Sequence, residues 1–430
     1  MNESGVPGTR RAITEGVSRR AWTAVLALAL ICRVAMMFLM PHAILWPDGR
    51  EFEAVGRLLF EHGTYGLQTL RPPGYPTFIA GVYTVFGPSL LALRLVEVVL
   101  ATLSVVALGA LGSRVFGPLA GWLSALFMAV HPVLALLPST QFSENLLVFF
   151  LVLAFAAVYA AWMRGGIWRW ALAGALFGVA ALVRPNVVLM LPGLSVGLLA
   201  ALRRTQRAWL APGLAAAVAL ILVVSPWIVR CHRVHGTWFF IATGGGRQFF
   251  LGNSDQATGS TTDVVYFKPE EQLAMNQLPN DIARERYLYG RALEFVRREP
   301  GRAARLYVKK LGNLLSLWPE TVTQTLLSRW SRAAQGAASL VVYAGALLAL
   351  FRFRSTPALW PLVGAILTFA VAQAVFHSVM RYRMAIEPCL LWMAGFGWAG
   401  LSWMTALARR AYVLAGSRPA PLAREAAVSR

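Results

Sequence analysis

Residues 21–51 read AWTAVLALALICRVAMMFLMPHAILWPDGRE, and Arg33 is the one charged residue among the first twenty of them. About 20 apolar residues are enough for an α-helix to cross the hydrocarbon core of a bilayer. The stretch is long for a cleavable signal and has no small-residue cleavage site, so we expect it to remain in the protein as a first membrane span. Asp48 then lies just beyond the predicted span, at the membrane surface.

The composition of the whole chain predicts a polytopic membrane protein. The chain has 430 residues, of which 57% are hydrophobic and 14% charged, whereas soluble domains carry about 25% charged residues. A net charge of +21 would suit nucleic-acid binding in a soluble protein. Here most arginines lie between apolar segments, with no basic stripe on a soluble module, so we expect no nucleic-acid partner. The three cysteines predict no disulfide framework.

Further apolar stretches bring the prediction to about ten membrane-spanning helices, which makes the fold class all-α. The predicted spans lie near residues 21–40, 90–112, 117–138, 143–162, 168–183, 187–202, 208–229, 336–351, 357–378 and 385–408.

The arginines set the predicted orientation, because cytoplasmic loops carry the excess of positive charge. Every second loop between predicted spans is rich in arginine, as in the loop with Arg203, Arg204 and Arg207. We place these arginine-rich loops and both termini on the cytoplasmic side. The predicted regions are a cytoplasmic tail 1–20, a transmembrane core 21–229 with a first outer loop 41–89, an extracytoplasmic segment 230–335, C-terminal transmembrane helices 336–408 and a basic cytoplasmic tail 409–430.

Both long outer segments are expected to contain helices that lie at the membrane surface. In the first outer loop, Asp48 and Glu51 have the spacing of a capping pair, Gly63 ends the helix, and residues 75–86 are too short to span. In the extracytoplasmic segment, residues 281–299 and 302–318 have amphipathic patterns.

Asp48 is the first candidate for chemistry. A carboxylate within hydrogen-bond reach of an acceptor hydroxyl can take its proton as the hydroxyl attacks. The alternative is structural, with Asp48 as the N-cap of the helix that follows.

Glu144 is the second candidate, at the predicted outer end of a span. It could contact substrate or bind a metal, or it could simply begin a helix capped by Ser143.

Three arginines in predicted outer turns form a third group: Arg184, Arg381 and Arg383. Cations are disfavoured on the outer side, and arginine forks suit phosphate oxygens, so we expect them to bind a phosphate. Alternatively, Arg184 closes a helix C-terminus before Pro185. Arg94 and Glu97 lie three residues apart on one predicted helix and could satisfy each other; alternatively, Arg33 could pair with Glu97 across helices.

Several short motifs follow one another in an informative order. They are Asp48, Arg71-Pro72-Pro73-Gly74-Tyr75-Pro76, Arg94, Ser143-Glu144, Leu182-Val183-Arg184-Pro185 and Arg381-Tyr382-Arg383 with Glu387-Pro388. In this order the chain resembles the bacterial GT-C membrane glycosyltransferases, the broad family of protein O-mannosyltransferases and of the lipid A aminoarabinose transferase.

The resemblance implies transfer of a monosaccharide from a polyprenyl-phosphate donor at the outer face of the cytoplasmic membrane. It implies Asp48 as base or orienter of the acceptor and Arg184, Arg381 and Arg383 as ligands of the donor phosphate. Glu144 would contact substrate or a metal.

The same resemblance makes Glu51, Arg71 and Tyr75 further candidates for substrate or metal contact. Many relatives have two adjacent acids where this chain has Ser143-Glu144. Whether the protein uses a divalent cation (Mg or Mn) is therefore left open. The sugar, and whether the acceptor is a glycan, a lipid or a protein, are also left open. The competing class is a transporter or flippase of an anionic lipid, which would place acids at mid-membrane depth.

Overall fold

The computed structural model describes residues 17–203, 210–259, 267–318 and 329–401. Within these ranges all regular structure is helical and no β-strand occurs, which confirms the all-α fold class. The predicted cytoplasmic tail 409–430 lies outside the described residues, as do most of the tail 1–20 and residues 402–408 of the last predicted span.

The helices fall into three runs along the chain. The first run is α1 (Arg19–Leu39), α2 (Pro47–His62), α3 (Gly74–Phe86), α4 (Leu90–Phe116), α5 (Pro118–Val130), α6 (Pro132–Leu136), α7 (Glu144–Arg164), α8 (Ile167–Val183), α9 (Leu191–Arg203) and α10 (Leu210–His235). The second is α11 (Gly245–Gly252), α12 (Pro269–Asn276), α13 (Asp281–Arg298) and α14 (Pro300–Leu314). The third is α15 (Arg329–Arg352), α16 (Trp360–Gln373) and α17 (Glu387–Ala399).

Each of the ten predicted spans coincides with an apolar helix, but not every helix is long enough to cross a bilayer alone. Five described helices meet the length and composition of a span: Arg19–Leu39, Leu90–Phe116, Glu144–Arg164, Leu210–His235 and Ser331–Arg352. The pair α5 and α6 makes a sixth if counted as one broken span. The shorter apolar helices Ile167–Val183, Pro185–Ala201 and Pro357–Gln373 reach about 25 Å against a core of about 30 Å. The count of ten therefore stays a prediction.

The broken span bends by 60° between Val130 and Pro132, where Pro132 ends the α5 hydrogen-bond ladder. The buried guanidinium of Arg33 fills this break. It donates to the main-chain oxygens of Met128 and Ala129 at 3.2 and 3.3 Å. The charge that sequence analysis found within the first span thus satisfies carbonyl groups left free at a helix end.

The most extensive apolar core among the described residues runs through the bundle from Val25 to Ala399, and three smaller clusters lie beside it. The main helix pairs of the bundle are α8 with α10, α15 with α17, α9 with α16 and α4 with α5. At the crossing of α9 and α16, a Cβ added to Gly364 would overlap the carbonyl oxygen of Gly193, and the reverse also holds. Glycine at both positions therefore sets how closely these two helices approach.

Gly364→Ala should destabilise the protein because the added methyl group meets main-chain atoms that cannot move aside. The expected cost is about 1–3 kcal/mol, measured as a lower unfolding temperature of the purified protein in detergent. Gly81→Ala on α3 is the matched control, since a Cβ there meets nothing within 4 Å. The control should be neutral or slightly stabilising, and an equal loss in both variants would contradict this account of the crossing.

The loop predicted as the first outer loop, residues 41–89, folds as two helices, largely as predicted. Helix α2 ends at Gly63, which has a φ of 67°, and α3 matches the predicted segment 75–86. The capping prediction was wrong: Trp46 is the N-cap, Pro47 is the first helical residue, and no side chain caps this end. The carboxylate of Asp48 is therefore available for other partners.

The predicted extracytoplasmic segment contains the two amphipathic helices that were predicted, as α13 and α14. This segment also contacts the first outer loop. Thr243 N donates to Thr69 O at 3.1 Å, and Thr69 Oγ1 lies 2.7 Å from His235 Nε2. These bonds fix the chain two residues before Arg71, which brings that arginine to the site described next.

Candidate functional site

Arg381 connects two carboxylates that are remote in sequence. It lies in the 3-10 helix Met380–Ala385, between α16 and α17. Its Nη2 donates to Asp48 Oδ2 at 2.6 Å, across 333 residues of chain. Its Nε lies 2.9 Å from Glu144 Oε1 at the start of α7. One guanidinium therefore joins the two acids that sequence analysis singled out.

Two further arginines complete the group. Arg71 Nη2 lies 2.7 Å from Asp48 Oδ1 and 2.6 Å from Glu51 Oε2. Arg184, at the C-terminal end of α8, forms an ion pair with Glu144. The six side chains form one continuous network, called here the carboxylate–arginine cluster. Its members are Asp48, Glu51, Arg71, Glu144, Arg184 and Arg381.

The cluster has an open side and a buried side. The side chain of Asp48 is 30% exposed and that of Arg381 is 23% exposed, whereas Glu144 is only 2% exposed. A ligand arriving from solvent would therefore meet Asp48 and the arginines first. Glu144 lies beneath them and holds two guanidinium groups in place.

Aromatic rings support the arginines from the side. The guanidinium carbon of Arg381 lies 4.4 Å from the ring centre of Phe142, and that of Arg184 lies 5.1 Å from the ring centre of Tyr382. The Tyr382 hydroxyl in turn donates to Gln248 Oε1, in the middle of α11, at 3.2 Å. The sequence motifs gave these rings no role, although Phe142 directly precedes Ser143-Glu144 and Tyr382 lies within Arg381-Tyr382-Arg383. Stacking of this kind restricts the guanidinium plane and leaves its edge for a ligand.

The charged side chains of the cluster shift one another's pKa values. Burial alone would raise the pKa of the Asp48 carboxyl, but Arg381 and Arg71 outweigh burial and hold that pKa below its usual range. For Arg381, burial acts to lower the pKa, while Glu144 and Asp48 raise it above its usual value. Asp48 is therefore ionised, and Arg381 keeps its charge, throughout the physiological pH range.

The residues of the cluster do not fit a divalent cation in this arrangement. Both oxygens of Asp48 face guanidinium groups, and Oε1 of Glu144 faces two of them. Over the described ranges there is also no group of three or more His, Cys, Asp or Glu side chains placed to hold a metal. A cation at Glu144 would have to displace two arginines that are also positively charged.

Tyr75 lies apart from the cluster. It is wholly buried, and its hydroxyl donates to Glu97 Oε1 at 2.7 Å. Asn145 donates to the main-chain oxygen of Glu97 at 3.0 Å and also to its carboxylate. The expected pairing of Glu97 with Arg94 was therefore wrong, since Glu97 is bound by Tyr75 and Asn145, while Arg94 donates to Ala43 O at 3.2 Å.

Arg383 also lies apart from the cluster. Its side chain is fully buried, and it donates from Nε to Glu387 Oε2 at 2.8 Å, from Nη1 to Tyr343 Oη at 2.7 Å and from Nη2 to Ser339 Oγ at 3.0 Å. The reason is the 3-10 geometry of residues 380–385. With three residues per turn, residues two apart point in different directions, so Arg381 and Arg383 diverge. The i, i+4 spacing of Arg383 and Glu387 was the available sequence signal.

Arg383→Gln should destabilise the protein rather than weaken phosphate binding specifically. Breaking one partner of a buried ion pair costs about 3–5 kcal/mol, which should appear as a large drop in unfolding temperature in detergent. Arg57→Gln is the matched control, because Arg57 pairs with Glu53 at the surface with 43% of its side chain exposed, and such pairs contribute about 0–1 kcal/mol. Equal effects of the two substitutions would contradict the structural role of Arg383.

The family model for dolichyl-phosphate-mannose-protein mannosyltransferases matches residues 70–229, a range that contains Arg71, Glu144 and Arg184. Among solved structures, the chain superposes on the oligosaccharyltransferase AglB from Archaeoglobus fulgidus, in complex with an inhibitory peptide and a dolichol-phosphate, with a TM-score of 0.57 at 14% identity over 92% of this chain. This chain has the GT-C fold. The resemblance drawn from the sequence motifs is thereby confirmed for the fold. The apo form of the same archaeal enzyme gives a TM-score of 0.56 at 15% identity over 92% of this chain and 52% of that one.

This chain spans about half the length of the archaeal enzyme, covering 52% of it. ArnT from Cupriavidus metallidurans bound to undecaprenyl phosphate matches with a TM-score of 0.47 at 16% identity, over 88% of this chain and 78% of that one. No curated protein matches the sequence.

Proposed function

We propose that this chain is an integral-membrane glycosyltransferase that moves a monosaccharide from a polyprenyl-phosphate donor to an extracytoplasmic acceptor. The observation that carries the proposal is Arg381, which joins Asp48 and Glu144 in one partly open cluster. The GT-C fold and the match of residues 70–229 to a family named for dolichyl-phosphate-mannose both support a lipid-phosphate donor.

The arginines of the cluster suit the departing phosphate. When the bond between the anomeric carbon and the phosphate oxygen breaks, negative charge develops on the polyprenyl phosphate. Arg381 and Arg184 already lie side by side on Glu144, with Arg71 on the far side of Asp48. Guanidinium groups held in advance stabilise such charge without reorganising during the reaction.

Asp48 is proposed to orient the acceptor hydroxyl and take its proton. The acceptor oxygen forms a bond to the anomeric carbon, the carbon–phosphate oxygen bond breaks, and the hydroxyl proton moves to the Asp48 carboxylate. With its pKa held low by Arg381 and Arg71, Asp48 is a weak base in the free protein. A donor phosphate would draw these guanidinium groups toward itself, so that the basicity of Asp48 rises only when donor is bound.

Glu144 and Glu51 are proposed as positioning residues. Glu144 holds Arg184 and Arg381 from below, and Glu51 holds Arg71 at 2.6 Å. Removing either acid should misplace an arginine rather than remove a group that touches the sugar. A flippase would need no carboxylate beside the arginines at the surface, so the arrangement favours transfer over transport.

The proposed location is the bacterial cytoplasmic membrane, with both termini inside and the cluster on the outer face. This orientation follows from the distribution of arginines. The extracytoplasmic segment 230–335 is proposed to take part in choosing the acceptor, whether glycan, lipid or protein, because Gln248 reaches Tyr382 beneath the arginines.

The decisive experiment incubates the purified protein with a panel of labelled polyprenyl-phosphate sugars and membrane extract as the acceptor source. A transferase consumes one donor and yields labelled product and free polyprenyl phosphate. A flippase reconstituted in vesicles moves the donor across the bilayer and leaves it intact. Translocation without consumption of any donor would overturn the proposal.

A further inference from the structure

A cavity of about 190 Å³ lies between the end of α1 and the start of α4, apart from the carboxylate–arginine cluster. No member of the cluster lines it. Its walls are formed by Met37, Phe38, His42, Leu90, Leu91 and Arg94. The cavity thus combines an apolar surface with two nitrogen-bearing side chains.

The walls of the cavity continue into the lipid-facing surface. Phe38 is 69% exposed and Leu91 is 51% exposed, and Leu95 and Val99 extend the same apolar face along α4 at 45% and 55%. Large apolar side chains at such exposure are accommodated by lipid rather than by water. Acyl chains would therefore have a continuous apolar path leading up to the cavity.

Arg94 is the unusual member of the cavity wall. It is 2% exposed, yet no carboxylate of the described residues lies within 4.0 Å of it, and the acid three residues along, Glu97, is bound by Tyr75 and Asn145. Arg94 donates to Ala43 O at 3.2 Å. With the Gln141 amide turned to satisfy its neighbours, Gln141 also accepts from Arg94 Nε at 3.3 Å. A buried cation with only neutral partners is costly, and an anion would offset that cost.

The position of the cavity selects the kind of anion. It lies where two apolar helices end, at the predicted level of the lipid headgroups, and it opens toward acyl chains. A guanidinium makes paired hydrogen bonds to phosphate oxygens, and the His42 imidazole supplies a second donor. We propose that this cavity binds the phosphate of a bilayer phospholipid, with Arg94 as its principal ligand.

Such a lipid would also brace the cluster without touching it. Arg94 contacts Ala43, five residues before Asp48, and Gln141, three residues before Glu144. A phosphate bound to Arg94 would therefore hold in place the segments that lead to Asp48 and to Glu144. The phospholipid composition of the membrane would then influence the geometry of the carboxylate–arginine cluster.

The test measures binding of short-chain phosphatidylglycerol to the full-length protein in neutral detergent, by native mass spectrometry and by the rise in unfolding temperature. Three variants are compared. Arg94→Gln removes the ligand, Leu91→Trp fills the cavity without altering Arg94, and Arg50→Gln is the matched control. Arg50 donates to Ile44 O and Leu45 O on the same loop but does not line the cavity.

We expect Arg94→Gln and Leu91→Trp each to weaken lipid binding at least about tenfold, while Arg50→Gln binds as the wild type does. If Arg94→Gln does not fold, the Leu91→Trp variant alone tests the proposal, because the half-exposed position of Leu91 tolerates a larger side chain. Unchanged binding in Leu91→Trp would overturn the proposal. So would equal binding of a diacylglycerol that lacks phosphate, or protection by inorganic phosphate at the same concentration as the lipid.

Discussion

Asp48→Asn should lower sugar transfer by about 10²–10⁴-fold, the usual contribution of a positioned general base. The amide keeps the size of the carboxylate but cannot take the acceptor proton at neutral pH. Donor binding should be retained, because Arg184 and Arg381 keep Glu144 as a partner. The measurements are the single-turnover rate with labelled donor and the dissociation constant for polyprenyl phosphate.

Asp281→Asn is the control for this substitution. Asp281 lies at the first position of α13 and forms an exposed pair with Arg284, three residues away. Its substitution should leave the transfer rate within about twofold, since such exposed pairs contribute little. A transfer rate in Asp48→Asn equal to that of Asp281→Asn would mean that Asp48 takes no part in the reaction.

Arg381→Gln should reduce transfer by about 10²–10³-fold, as expected for losing a group that stabilises charge on the leaving phosphate. Arg381→Lys should lie between Gln and wild type, because an ammonium keeps the charge but loses the fork that spans Asp48 and Glu144. Arg57→Gln, on the exposed face of α2, should leave transfer unchanged. Full activity in Arg381→Gln would contradict the assignment.

The same substitution should change the pH profile. In the wild type, Arg381 and Arg71 outweigh burial and keep the pKa of Asp48 low, so kcat/KM should show no acid limb from this group between about pH 5 and 8. Removing Arg381 leaves burial opposed by Arg71 alone, so the pKa of Asp48 should rise. The carboxyl then gains its proton at higher pH, and activity should fall on the acid side where wild-type activity is still flat.

Apolar stretches of sufficient length identified the helices, because the bilayer fixes the length that a span needs. Leu90–Phe116 and Glu144–Arg164 were located within a few residues of their observed ends. The length of an apolar stretch did not predict the bend at His131. It also did not decide whether the short helix Ile167–Val183 crosses the membrane. Helices shorter than the core depend on how their neighbours pack, which sequence periodicity does not reveal.

The site was predicted in part because its chemistry leaves charges where membrane proteins otherwise avoid them. Arg184 and Arg381 stood out on that ground, Asp48 and Glu144 stood out as carboxylates at the predicted outer ends of spans, and the structure brings the four together. Arg383 stood out for the same reason but points into the core. The difference between Arg381 and Arg383 comes from the 3-10 conformation of residues 380–385, which points side chains two residues apart to different sides. The sequence alone did not predict this conformation.

Binding of the donor phosphate to this cluster is tested most directly by arginine footprinting of the full-length protein in detergent. Phenylglyoxal modification is mapped by mass spectrometry with and without polyprenyl phosphate, and polyprenol serves as the phosphate-free control. The account predicts that polyprenyl phosphate, but not polyprenol, protects Arg184 and Arg381 while Arg57 stays reactive. Saturating polyprenyl phosphate that leaves Arg184 and Arg381 as reactive as before would contradict it.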